Sequence, residues 1–227
     1  MNELLFIFHS LFITGCVLGA LYVGKEALIG LIALLAIFSN LFVTKQITLF
    51  GLHATPTDAF TIGIVLSLNV LREYYGQAIT KKAISISFAL SLFYTVVSQL
   101  HVLYVPNLYD AMHHHAVALF GIMPRIITAS LFTYFVVQRF DCFFYEFLKK
   151  RCKNNYLIIR NYGSLIISQF LDTALFSFLG LYGVVDSIIP VVGVSYCIKL
   201  LVIFIATPFL WFSKKIMDVK KYEHLSI

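Results

Sequence analysis

Residues 163–183 read GSLIISQFLDTALFSFLGLYG. The stretch is apolar enough to enter a bilayer, yet Gln169 and Asp172 lie near its middle. On a helix residues three apart share a face, so these two lie together, with Thr173 beside them. Ile167, Leu171, Ala174 and Phe178 fall on the opposite, lipid-facing side. A carboxylate at that depth costs about 2.5–3.5 kcal/mol on insertion scales, so it faces protein or water and needs a partner.

The rest of the chain agrees with a membrane setting. Its 227 residues are 60% hydrophobic and only 12% charged, against about 25% charged in a soluble domain. No polar segment is long enough to form a soluble domain. The four cysteines, Cys16, Cys142, Cys152 and Cys197, have neither zinc-type nor redox spacing and are expected to be free thiols. The expected fold is all-α, a polytopic helical bundle forming one membrane domain over residues 1–227, with six to seven transmembrane helices.

Working outward, apolar runs mark spans at 4–23, 27–43, 59–75, 83–104, 117–137, 163–182 and 188–212. The first has Glu3 rather than lysines before it and runs through Lys25 and Glu26 into a second span, so it reads as a helix and not as a signal peptide. Residues 46–58, QITLFGLHATPTD, are too short and broken to span; they read as a loop or a partly re-entrant segment. Thr57 or Asp58 is then expected to cap the following helix.

Seven spans alternate sides, which makes the positive-inside rule a test. Of the 17 lysines and arginines, only Lys45, Arg125 and Lys199 fall outside one set of helix ends and loops. That set holds Lys25, Arg72, Lys81, Lys82, the Arg139–Arg160 cluster and the terminal lysines. The bias predicts an N-terminus outside and a C-terminus in the cytoplasm, in the cell's inner (plasma) membrane.

Arg125 lies about eight residues into the fifth span from outside, Asp172 about ten into the sixth from inside, and Lys199 about eleven into the seventh from outside; at ~1.5 Å per residue in a core about 30 Å thick, all three fall near the midplane. They could meet in one bundle. Such charges can serve only to hold helices together. Alternatively, a mid-membrane carboxylate with an amide and basic groups makes a polar solute site. Asp172 beside Gln169 suits a flat heterocycle with an amidine-like or guanidine-like edge, since a carboxylate accepts two N–H bonds side by side. Tyr196, three before Lys199, adds to the same face, while Asn40 is equally a helix–helix hydrogen bond or a ligand contact. The adjacent His113, His114 and His115 read as a solvated loop rather than a metal site, because three neighbouring side chains cannot all face one ion without strain.

The fragments FGLHATPTDAF, NVLREYYG, PRIITASLF, VVQRFD, SQFLDT and YCIK, in that order between about Ser39 and Phe212, resemble the queuosine-precursor transporter family, also described as vitamin-uptake transporters. The resemblance implies import of 7-deazaguanine bases such as queuine, used in tRNA modification. It implies six spans, which makes residues 4–23 an additional N-terminal helix. The family's arginine corresponds to Arg125, its Asp-Thr to Asp172 and Thr173, and its Tyr-Cys-x-Lys to Tyr196 and Lys199. Where members often carry an aspartate in the third span, this chain has Asn69.

The expected binding set is therefore Asp172, Gln169, Arg125, Lys199, Asn40, Tyr196 and Thr173, with no catalytic or metal residues. The expected partners are a small heterocyclic base and the lipid bilayer, with no nucleic acid and no cofactor; a homo-oligomer and energising subunits are further candidates. No P-loop is present, so ATP use would need a partner protein. A substrate-capturing subunit of an ATPase-driven importer is thus an alternative to a secondary transporter. A membrane enzyme is a further reading, though no nucleophile–base pair or metal motif supports it.

Overall fold

A computed structural model describes residues 1–151, 157–201, 209, 213 and 214. It is helical apart from one hairpin: α1 (Asn2–Val23), α2 (Lys25–Phe42), β1 (Ile47–Leu49), β2 (Leu52–Ala54), α3 (Asp58–Val102), α4 (His113–Phe120), α5 (Met123–Arg151) and α6 (Leu157–Phe176). A π-helical turn, Ser177–Leu181, extends α6, and α7 covers Ile188–Leu201. The part of the 188–212 span beyond Leu201 lies largely outside the described residues.

Asn2–Val23, Lys25–Phe42, Asp58–Val102 and His113–Val137 are long and apolar enough to cross a membrane. At 45 residues, α3 would run about 67 Å if straight, more than two hydrocarbon cores. It is not straight. Gly76 has φ 83° and ψ 168°, a backbone that glycine adopts without a Cβ penalty. The break divides α3 into α3a (58–75) and α3b (77–102).

The core forms where α1, α2 and α3a pack. Val17, Leu21, Leu28, Leu66, Val70 and Leu71 are among its fully buried members. The other face of α1, with Leu4, Leu5, Phe8, Leu11 and Phe12, is exposed, as a lipid-facing side requires. Several hydroxyls inside the helices bond the carbonyl one turn back, as Ser87 does to Ala83 (2.7 Å) and Thr95 to Ser91 (2.9 Å). That leaves fewer unpaired polar groups in an apolar medium.

Residues 46–58 are more ordered than a plain loop and form a hairpin. Strands β1 and β2 pair antiparallel, with Ile47 opposite Ala54 and Leu49 opposite Leu52. Phe50 (φ 51°) and Gly51 (φ 79°) turn the chain, the two positive φ values of a tight hairpin turn. The Asn2 Nδ2 donates to the Thr48 carbonyl (2.9 Å), and the Phe50 N–H donates to Glu3 Oε1 (3.1 Å), tying the hairpin to the start of α1. The 182–187 turn reaches the same end, where the Asp186 N–H donates to Gln46 Oε1 (3.3 Å). At the other end, Tyr74 and Ser213 share a hydroxyl hydrogen bond of 2.8 Å near the Gly76 break.

Candidate functional site

Helices α6 and α7 bring the predicted carboxylate and amine together. Lys199 Nζ donates to Asp172 Oδ2 at 2.6 Å. The lysine side chain is 13% exposed and the aspartate 33%, so the pair is sheltered on the amine side and more open on the carboxylate side. Each charge would be costly in this medium alone; pairing offsets part of that cost. Gln169 is half-buried and lies on the same helix face three residues before Asp172. Thr173 is buried and donates its hydroxyl to the Gln169 carbonyl (2.8 Å), which satisfies it within the helix. Tyr196 donates to the Ile166 carbonyl (3.3 Å) and meets the Phe170 ring edge-on at 5.2 Å. Two contacts one turn apart therefore hold α7 against α6.

Arg125 does not join this group. Its Nε donates to the Leu179 carbonyl (3.0 Å) and its Nη2 to the Tyr182 carbonyl (2.7 Å). Leu179 is seven residues past Asp172, about 10 Å along the axis. The cause is local. A π-helical turn followed by Gly183 at φ 75° ends the helix, leaving carbonyls without the usual donors. A guanidinium with five donors is suited to that end. The expected meeting of three charges at one depth reduces to a pair, with Arg125 as a cap on the end of α6.

Asn40 lies elsewhere too. Its Nδ2 donates to the Ala36 carbonyl (2.9 Å). It lines a cavity of ≈ 230 Å³ between α2, α3 and α5, together with Ser39, Ser87, Ser91, Ser130 and Tyr134; among the described residues, none of α6 or α7 is in that lining. The Phe88 and Tyr134 rings meet edge-on in its wall at 4.9 Å.

One residue of the site escapes the sequence reading. Asp58, expected as a helix cap, is 5% exposed and accepts a hydrogen bond from Ser195 Oγ at 2.7 Å. Thr57 precedes the helix without a side-chain cap and bonds Thr55 instead (3.1 Å). Lys199 also acts electrostatically on Asp58. Ser195 and Lys199 are four apart on α7, so they share a face. That face meets Asp58 of α3a at one turn and Asp172 of α6 at the next.

Residues 59–212 match the family model described as "Putative vitamin uptake transporter". The chain belongs to that family. A curated relative from Bacillus subtilis (strain 168), named "Probable queuosine precursor transporter", is 32% identical over 198 residues, covering 86% of each chain. No solved structure matches the chain significantly. The matched region of this uptake-transporter family member starts one residue after Asp58 and contains Asp172, Ser195 and Lys199. With its apolar helices, it is a multi-pass membrane protein of a transporter family.

Proposed function

We propose that the chain imports a queuosine precursor, a 7-deazaguanine base such as queuine, across the plasma membrane. It does so as a secondary transporter, without a catalytic step. On this reading it crosses the bilayer seven times, with the hairpin end outside and the basic loop and C-terminus in the cytoplasm. The charge bias of the loops supports that orientation.

The observation that carries the reading is the Asp172–Lys199 pair between two apolar helices. With the carboxylate one-third open, a solute can reach it beside the ammonium. A deazaguanine carries an amino-pyrimidinone edge with adjacent N–H donors. Asp172 accepts those donors side by side, Gln169 adds a donor and an acceptor on the same face, and Tyr196 supplies an aromatic wall. Thr173, bonded within its own helix, supports that face rather than contacting the base. Arg125 and Asn40 act outside this contact set.

The test is uptake of labelled queuine by cells that cannot make queuosine, with and without the chain. Wild type is expected to restore uptake, and Asp172→Asn, at equal membrane abundance, to reduce it by more than about tenfold, the loss of one charge-assisted pair of bonds. Uptake by purified chain in vesicles without ATP supports the secondary mechanism; a requirement for co-purifying ATPase subunits overturns it. If wild type takes up no deazaguanine base, the substrate reading fails.

A further inference from the structure

To present both oxygens to parallel N–H donors, Asp172 must release Lys199, because Oδ2 is already taken by the ammonium at 2.6 Å. A lysine freed in a low-dielectric bundle without an acceptor would cancel most of the gain. Another acceptor is in place. Asp58 is nine-tenths or more buried and is fixed by Ser195 at 2.7 Å, one turn along α7 from Lys199. Helical side chains lean toward the helix N-terminus, so the lysine stem already inclines toward the Ser195 level. One turn is about 5.4 Å, within the swing of a four-carbon side chain. The lysine's electrostatic action on Asp58 places the two in the same field.

We propose that Asp58 is the alternate acceptor for Lys199: the empty site holds the lysine on Asp172, and the substrate displaces it one turn along α7 onto Asp58. This rests on the reading of Asp172 as the substrate carboxylate. It makes Asp58 a positioning residue that acts through Lys199 and never touches the base. Site occupancy is then reported on α3a, because Asp58 belongs to that helix. The exchange is neutral overall. One ammonium passes between two carboxylates, so the protein's own net charge does not change.

Two double-mutant cycles test it. The first uses queuine binding to purified protein. Asp58→Asn keeps an acceptor for Ser195 but offers no charge to Lys199; it is expected to weaken binding about tenfold or more in the wild-type background. In a Lys199→Gln background, which has no lysine to accommodate, the same substitution is expected to change binding less than about twofold. Equal losses in both backgrounds overturn the proposal and leave Asp58 as a packing residue. The second cycle needs no substrate. With Lys199 shared, Asp172→Asn alone lets the lysine fall back on Asp58, and Asp58→Asn alone leaves the Asp172 pair intact. The double variant is then expected to melt below the sum of the single shifts by about 2–4 °C or more; additive shifts overturn the proposal. Should the double variant not accumulate, the binding cycle with Lys199→Gln decides alone. If wild type binds no queuine but the stability cycle is non-additive, the substrate reading fails and the shared lysine stands.

Discussion

Asp172 and Arg125 look alike in sequence, both charges inside an apolar run, yet the bundle uses them differently. Asp172 is engaged by one amine and stays one-third open. Arg125 spends its donors on the carbonyls of Leu179 and Tyr182, so its replacement reads out in stability before uptake. Arg125→Leu is expected to cost about 1–3 kcal/mol through the two lost charge-assisted bonds, seen as a lower melting temperature with uptake per folded molecule retained. A loss of uptake without destabilisation would return Arg125 to the binding set. The charges themselves were legible, because any ionisable residue in a span demands a partner. The partner of Asp172 was only half legible, since depth aligns it with Arg125 and Lys199 alike and does not choose between them. Asp58 was not, because a short acidic residue before an apolar run has a ready local reading as a cap. Its actual contact, with Ser195, lies 137 positions away, beyond anything spacing conveys.

Among the elements, the apolar runs announce the helices, but not how they join. QITLFGLHATPTD looks like loop because Gly51, Pro56 and mixed polarity hide the alternation of two three-residue strands. Its turn uses Phe50 at φ 51°, a conformation that sequence would assign to asparagine or glycine. The Gly76 break is similarly hidden, because the residues on both sides of it are helical and a single glycine carries the change of direction. Close approach is hidden too. At Gly63 of α3a, an added Cβ would meet Ile13 Cγ2 of α1, with Leu35 Cδ1 of α2 at 2.8 Å. Gly63→Ala is therefore expected to destabilise by about 1–3 kcal/mol, as overpacking does, read as a fall in melting temperature. An unchanged melting temperature would mean that α1 yields, and that it packs more loosely than the burial of Val17 and Leu21 indicates.

For the whole molecule, the all-α membrane fold follows from composition and periodicity, and the family model covering 59–212 agrees with the resemblance carried by the fragments. Orientation rests on charge placement. In a background with the four cysteines replaced, Phe50→Cys, exposed at the hairpin tip, is expected to react with a membrane-impermeant thiol reagent on intact cells. A cysteine replacing Lys81, just past Gly76, is expected to react only after permeabilisation. The reverse pattern would invert the bundle and remove the import direction from the functional reading.

The break at Gly76 has a mechanical side. Only one residue separates α3a from α3b, so the junction has no slack to absorb movement. Were α3a to tilt against α3b, Gly76 would be the fulcrum and Asp58 the far tip, about 27 Å away at 1.5 Å per residue. A tilt of about 10° at the fulcrum carries that tip nearly 5 Å, close to the pitch of one helical turn. That distance matches the one-turn step proposed for the lysine along α7, so the Asp58 end is where a small change of angle at Gly76 would be felt most.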